Sequence, residues 1–68
     1  MNPLHKIHEV DREEDWEDLQ KLRYVGQQNI GGGMAKVELF DDASNTQIAV
    51  FCPDELLPDA SFWTNRTH

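Results

Sequence analysis

The stretch Asp11-Arg12-Glu13-Glu14-Asp15-Trp16-Glu17-Asp18-Leu19-Gln20-Lys21-Leu22-Arg23-Tyr24-Val25-Gly26 decides how this chain is read. The carboxylate of Asp11 is suited to accept from the free N–H groups of a first helical turn, and Glu14 three positions on completes a capping-box spacing. Trp16, Leu19, Leu22 and Val25 then recur every three residues, laying one apolar stripe along a helix with Tyr24 at its margin. Gly26 is a helix stop. Acids crowd the positive end of the helix dipole while Lys21 and Arg23 occupy its last turns. Glu17 and Lys21 stand at the spacing of a favourable i,i+4 pair, and Glu14 and Asp18 at that of an unfavourable one. The stretch predicts a capped amphipathic helix.

Downstream, residues 26–33 hold three consecutive glycines and no periodicity, so they read as a flexible connection. A β-hairpin follows. Ala35, Val37 and Leu39 alternate with Lys36 and Glu38, and Ile48, Val50 and Cys52 alternate on the return. Residues 41–47 between them have turn chemistry, with Asn45 the best candidate for a left-handed residue. Phe40 and Phe51 fall on the opposite face from Val37 and Val50, and that face needs cover from the tail or from a partner. Pro53 ends the second strand, and residues 53–57 suit one helical turn before Pro58. Upstream, Leu4, Ile7 and Val10 allow an additional short N-terminal strand, although residues 1–8 and 59–68 are candidates for fraying. The expected fold is therefore α+β: one amphipathic helix packed on an antiparallel hairpin in a single small domain over residues 1–68. Its core is built from Trp16, Leu19, Leu22 and Val25 against Val37, Leu39, Ile48 and Val50.

The chain has 68 residues with 13 acids against 6 Lys and Arg, a net charge of −7. Residues 9–18 hold seven acids against Arg12 and so carry −6 of it. The acidity is a patch on an otherwise balanced surface. A chain this short buries only about 60% of its unfolded surface, which disfavours a large enclosed active site. The charge disfavours direct binding to nucleic acid phosphates or to an anionic membrane, and favours a basic protein partner. Cys52 is the sole cysteine, so no internal disulfide forms. No apolar run resembles a signal peptide or reaches a membrane-spanning length, so a cytoplasmic protein is expected. In that setting Asn65-Arg66-Thr67 is a chance glycosylation triplet.

Candidate chemistry is sparse. The three glycines precede a strand rather than a helix and lack the Lys-Ser or Lys-Thr ending of a phosphate-binding loop. His5, His8, Cys52 and His68 contain a permissible local metal spacing, but two of them sit near the chain ends and Cys52 faces the expected core. That cysteine has no orienting base and reads as a buried, inert thiol. The acids of residues 11–18 lack the alternation and glycine turn of a calcium loop. No catalytic, cofactor-binding or metal-ligating residue is assigned, and the chain is not read as an enzyme.

The residues singled out for partner binding are Glu9, Glu13, Glu14, Asp15, Glu17 and Asp18, with Phe62 and Trp63 beside Arg66 read first as cover for the small core and second as an aromatic anchor for a partner. Together they suggest a small acidic protein–protein interaction module that binds a basic surface, as an inhibitor or nucleic-acid mimic directed at a nucleic-acid-binding protein. Small viral (phage) or mobile-element inhibitors of host defence or transcription are often of this kind, an analogy of size and charge only. The alternative is a structural or accessory subunit that self-associates as a homo-oligomer, or docks on a larger assembly, through its hairpin edge and its Phe40/Phe51 face.

Overall fold

The computed structural model describes residues 4–63. The triplet Asn65-Arg66-Thr67 and His68 lie outside the described residues, as do the outermost parts of the two ends expected to fray. The chain runs β1 (Leu4–Glu9), a 3₁₀ helix η1 (Glu13–Leu19), β2 (Arg23–Gly31), β3 (Met34–Asp41), β4 (Thr46–Pro53) and two short 3₁₀ turns, η2 (Asp54–Leu56) and η3 (Ala60–Trp63). The four strands form one mixed sheet in the order β1-β4-β3-β2. β1 lies parallel to β4 in the register Leu4↔Thr46 to Glu9↔Phe51. The β3–β4 hairpin occupies the centre of the sheet and pairs antiparallel, Val37 opposite Val50 and Leu39 opposite Ile48.

This overturns the expectation of a helix on a hairpin. The predicted helix is cut in two: residues 13–19 form η1, and Arg23, Tyr24, Val25 and Gly26 belong to β2. The reason lies in the spacing itself. Residues three apart eclipse on a 3₁₀ helix, whereas an α-helical stripe needs steps of four as well as three to hold one face. Trp16, Leu19 and Leu22 fit the tighter period, and all three are buried. Leu22 continues the pattern past the helix, its N–H donating to the Leu19 carbonyl at 3.1 Å. Val25, placed in the same stripe by sequence, is 52% exposed. The expected cap is also absent: Arg12 is the N-cap and makes no side-chain cap bond. Instead Asp15 reaches back, its Oδ2 accepting from the Asp11 N–H at 3.4 Å.

Residues 23–31 become a strand because the edge of β3 needs a partner more than Gly26 needs to end a helix. Tyr24 pairs with Leu39 and Gln27 with Val37, with register shifts between Tyr24 and Gly26 and between Asn29 and Gly31. The connection expected at 26–33 is thus mostly strand, closed by a tight turn. Gly31, Gly32 and Gly33 all take positive φ, at 89°, 66° and 76°. Positive φ at both central residues, Gly32 and Gly33, is what a type I′ hairpin turn requires.

The other predicted elements are present. Asn45 is left-handed with φ 53°, residues 54–56 form the short helical turn, and the N-terminal strand exists as β1. Ala35, Val37, Leu39, Val50 and Cys52 are fully buried on one face of the sheet. Val10, Trp16, Leu19, Leu22 and Trp63 cover them, with Leu56, Leu57 and Phe62 packed alongside. Phe40 and Phe51 lie on the other face, whereas Trp63, the last of the described residues, packs against the first. The Arg23 guanidinium sits 5.2 Å above the Phe40 ring and forks onto Asp42, Nε to Oδ2 at 3.1 Å and Nη2 to Oδ1 at 3.0 Å. That hydrogen bonding lowers the Asp42 pKa and raises that of Arg23. The fork ties the start of β2 to the β3–β4 turn.

Candidate functional site

The 3₁₀ period sorts the acidic stretch into three columns of residues spaced by three. Glu13, Trp16, Leu19 and Leu22 form the column that enters the core, with Glu13 at its exposed start. Arg12, Asp15, Asp18 and Lys21 form a second column in which acids and bases offset each other, and Arg12 lies 3.9 Å from Asp15. Glu14, Glu17 and Gln20 form the third, which faces the C-terminal segment: the Gln20 Nε2 donates to the Phe62 carbonyl at 3.1 Å. Two expectations fall with the α-helix. Glu17 and Lys21 make no ion pair, and Glu14 is eclipsed with Glu17 rather than set against Asp18.

An open groove of about 480 Å³ runs between η1 and the segment after β4. Its rim carries Glu13, Glu14, Glu17 and Asp59, and its floor is Trp16, Leu56, Leu57, Pro58 and Phe62. The floor is fixed from below. Trp16 Nε1 donates to the Leu56 carbonyl at 2.8 Å, and its ring meets Trp63 edge-on at 5.7 Å and Phe62 at 6.3 Å. Phe62 and Trp63 are themselves perpendicular at 4.8 Å, and Tyr24 stacks on Trp63 at 4.9 Å. Such edge-to-face packing holds the aromatics in one arrangement. Among the described residues no Lys, Arg or His pairs with Glu13, Glu14, Glu17 or Asp59. The groove therefore presents uncompensated carboxylates around an apolar, half-buried floor.

Of the residues singled out by sequence, the structure brings Glu13, Glu14, Glu17 and Phe62 to this groove. Asp15 and Asp18 stand on the neighbouring column. Glu9 is on β1, opposite Phe51, on the face of the sheet away from the core. Trp63 is 2% exposed and supports the floor from inside. Sequence reasoning missed Asp59 and the Leu56-Leu57-Pro58 segment, which becomes adjacent to η1 only through tertiary packing. The one local signal was that Leu56 and Leu57, read as part of a short helical turn, were apolar residues with no packing partner assigned to them.

The remaining chemistry-bearing residues do not converge. His5 and His8 lie three apart on a strand and so point to opposite faces. Among the described residues no cluster of His, Cys, Asp and Glu is arranged to hold a metal ion. Cys52 is a buried free thiol, and desolvation, then the charge of Asp54, raises its pKa. Among the described residues no helix is long and apolar enough to cross a membrane. Comparison of the chain with protein-family models, with curated proteins and with solved structures finds no match.

Proposed function

We propose that this chain is a protein-binding module whose groove between η1 and the segment after β4 takes a basic, partly apolar segment of a partner. The observation that carries the reading is the composition of the groove, in which Glu13, Glu14, Glu17 and Asp59 rim a floor of Leu57, Pro58 and Phe62. A lysine or arginine has the matching form: an apolar stem to lie on the floor and a cationic head to reach the rim. The eclipsed Glu14 and Glu17 repel each other in the free protein, and a cation between them relieves that repulsion. Carboxylates at this density repel phosphate backbones, so the partner is a protein. Nucleic-acid-binding proteins carry basic surfaces of this kind, and occupying one in the cytoplasm inhibits it without any catalysis.

The reading is tested by titrating the isotope-labelled protein with two peptides, one of lysines and leucines and one of lysines and glycines. The first is expected to shift the resonances of Glu14, Glu17, Leu57, Phe62 and the Trp16 indole N–H, and the second to bind more weakly. Glu14→Lys with Glu17→Lys should weaken binding by about tenfold or more, and binding should fall with added salt. Shifts spread evenly over the acidic surface, or binding unaffected by the double reversal, would sink the idea.

A further inference from the structure

We infer that β1 is a self-association edge: two copies of this chain pair antiparallel along Leu4–Glu9 about a two-fold axis at Ile7, joining their sheets into one of eight strands. The sheet has two edges, and they differ. β2 is broken by two register shifts, irregularities that discourage strand addition. β1 has none over six residues, and all six side chains are exposed. Ile7 is 77% and Leu4 67% exposed, the two largest exposures among the big apolar residues described. The hairpin's own edges are already filled by β1 and β2, so association through an edge has to use an outer strand.

The hydrogen bonding of β1 sets the register. The N–H of Leu4 donates to the Asn45 carbonyl and that of Val10 to the Phe51 carbonyl, both at 3.0 Å. Backbone groups alternate along a strand, so the even-numbered residues 4 to 10 point into the sheet and His5, Ile7 and Glu9 point their N–H and C=O outward. Two such edges bond only where outward residues meet outward residues. Centring on Ile7 does this over the whole strand: Ile7 faces the partner's Ile7, and His5 faces the partner's Glu9 on both sides of the axis. Lys6 then faces the partner's His8, and Leu4 lies opposite the partner's Val10, whose own side chain is buried in the core. Moving the axis to Lys6 or His8 keeps the bonding parity but sets Ile7 against His5 or Glu9 of the partner and shortens the overlap. The Ile7-centred register alone joins apolar to apolar and carboxylate to imidazole. It also leaves the acidic groove, on the other face, unoccupied, so this inference does not depend on the function proposed above.

Sedimentation equilibrium over a range of concentrations, together with amide exchange by NMR on the full chain, tests it. The expected result is a species of twice 7.9 kDa whose formation slows exchange at His5, Ile7 and Glu9 together. Ile7→Lys should weaken association by about a hundredfold, through lost apolar contact and opposed like charges, with an unchanged circular dichroism spectrum. Glu9→Arg should weaken it less, and Glu9→Arg combined with His5→Glu should restore it, because the opposite charges again meet across the seam. A protein that stays monomeric at its solubility limit overturns the inference. So does a dimer in which the amides of His5, Ile7 and Glu9 exchange as fast as in the monomer.

Discussion

The backbone at Gly31-Gly32-Gly33 shows how much a single residue type determines here. Apart from the glycine itself and its two chain neighbours, no atom lies within 4 Å of where a Cβ would stand on any of the three. The glycines are therefore needed for their positive φ and not for space. A left-handed conformation costs an ordinary L-residue about 1–2 kcal/mol, and asparagine less. Gly32→Ala should destabilise the protein by about that amount in urea unfolding, and Gly32→Asn by noticeably less. Equal losses for the two would mean that the turn tolerates a different geometry. Asn45 occupies the same region of backbone space in the other hairpin, where Asp41 Oδ1 accepts from the Ala43 N–H at 3.1 Å and shapes the approach.

At the scale of elements, legibility followed how local the cause was. The β3–β4 hairpin, its turn and the buried residues Val37, Leu39, Ile48 and Val50 were readable because alternation of period two is written in the strand itself. The short turn after Pro53 was readable from its flanking prolines. The segment 11–26 was not, because a step of three satisfies one side of an α-helix loosely and a 3₁₀ helix well, and because Tyr24 and Val25 were free to choose between stripe and strand. The unpaired edge of β3 made that choice, and no local pattern announces such an edge. The candidate groove was half legible: its acids were visible as a cluster, while Asp59 and the Leu56-Leu57-Pro58 floor came from a distant part of the chain. The geometry of η1 gives a contrast to measure. Lys21→Ala should leave stability within about 0.5 kcal/mol, since Lys21 makes no pair with Glu17. Gln20→Ala should cost about 1 kcal/mol by removing the bond to the Phe62 carbonyl. A reversed order in thermal melts would show that η1 is α-helical after all.

Across the whole molecule, the core is one apolar layer between the sheet and a lid of aromatic residues. Trp63 joins that lid through contacts to Trp16, Tyr24 and Phe62, although it lies at the far end of the described chain. Truncating a buried tryptophan removes about 3–5 kcal/mol, a large share of what a domain this small possesses. Trp63→Ala is expected to lose its cooperative melting transition, whereas Phe62→Ala, half-buried at the groove, should keep one at a lower midpoint. A sharp transition in the tryptophan variant would show that the lid is dispensable. The parallel seam between β1 and β4 has a consequence in time as well as in space. Leu4 pairs with Thr46, 42 positions later, so during synthesis β1 emerges long before the strand that receives it. Distant pairings of this kind close late in folding, and domains assemble as units once their last strand is available. On the ribosome the first strand waits, the backbone N–H groups of Leu4 and Val10 without their carbonyl partners at Asn45 and Phe51, until most of the described chain has been made.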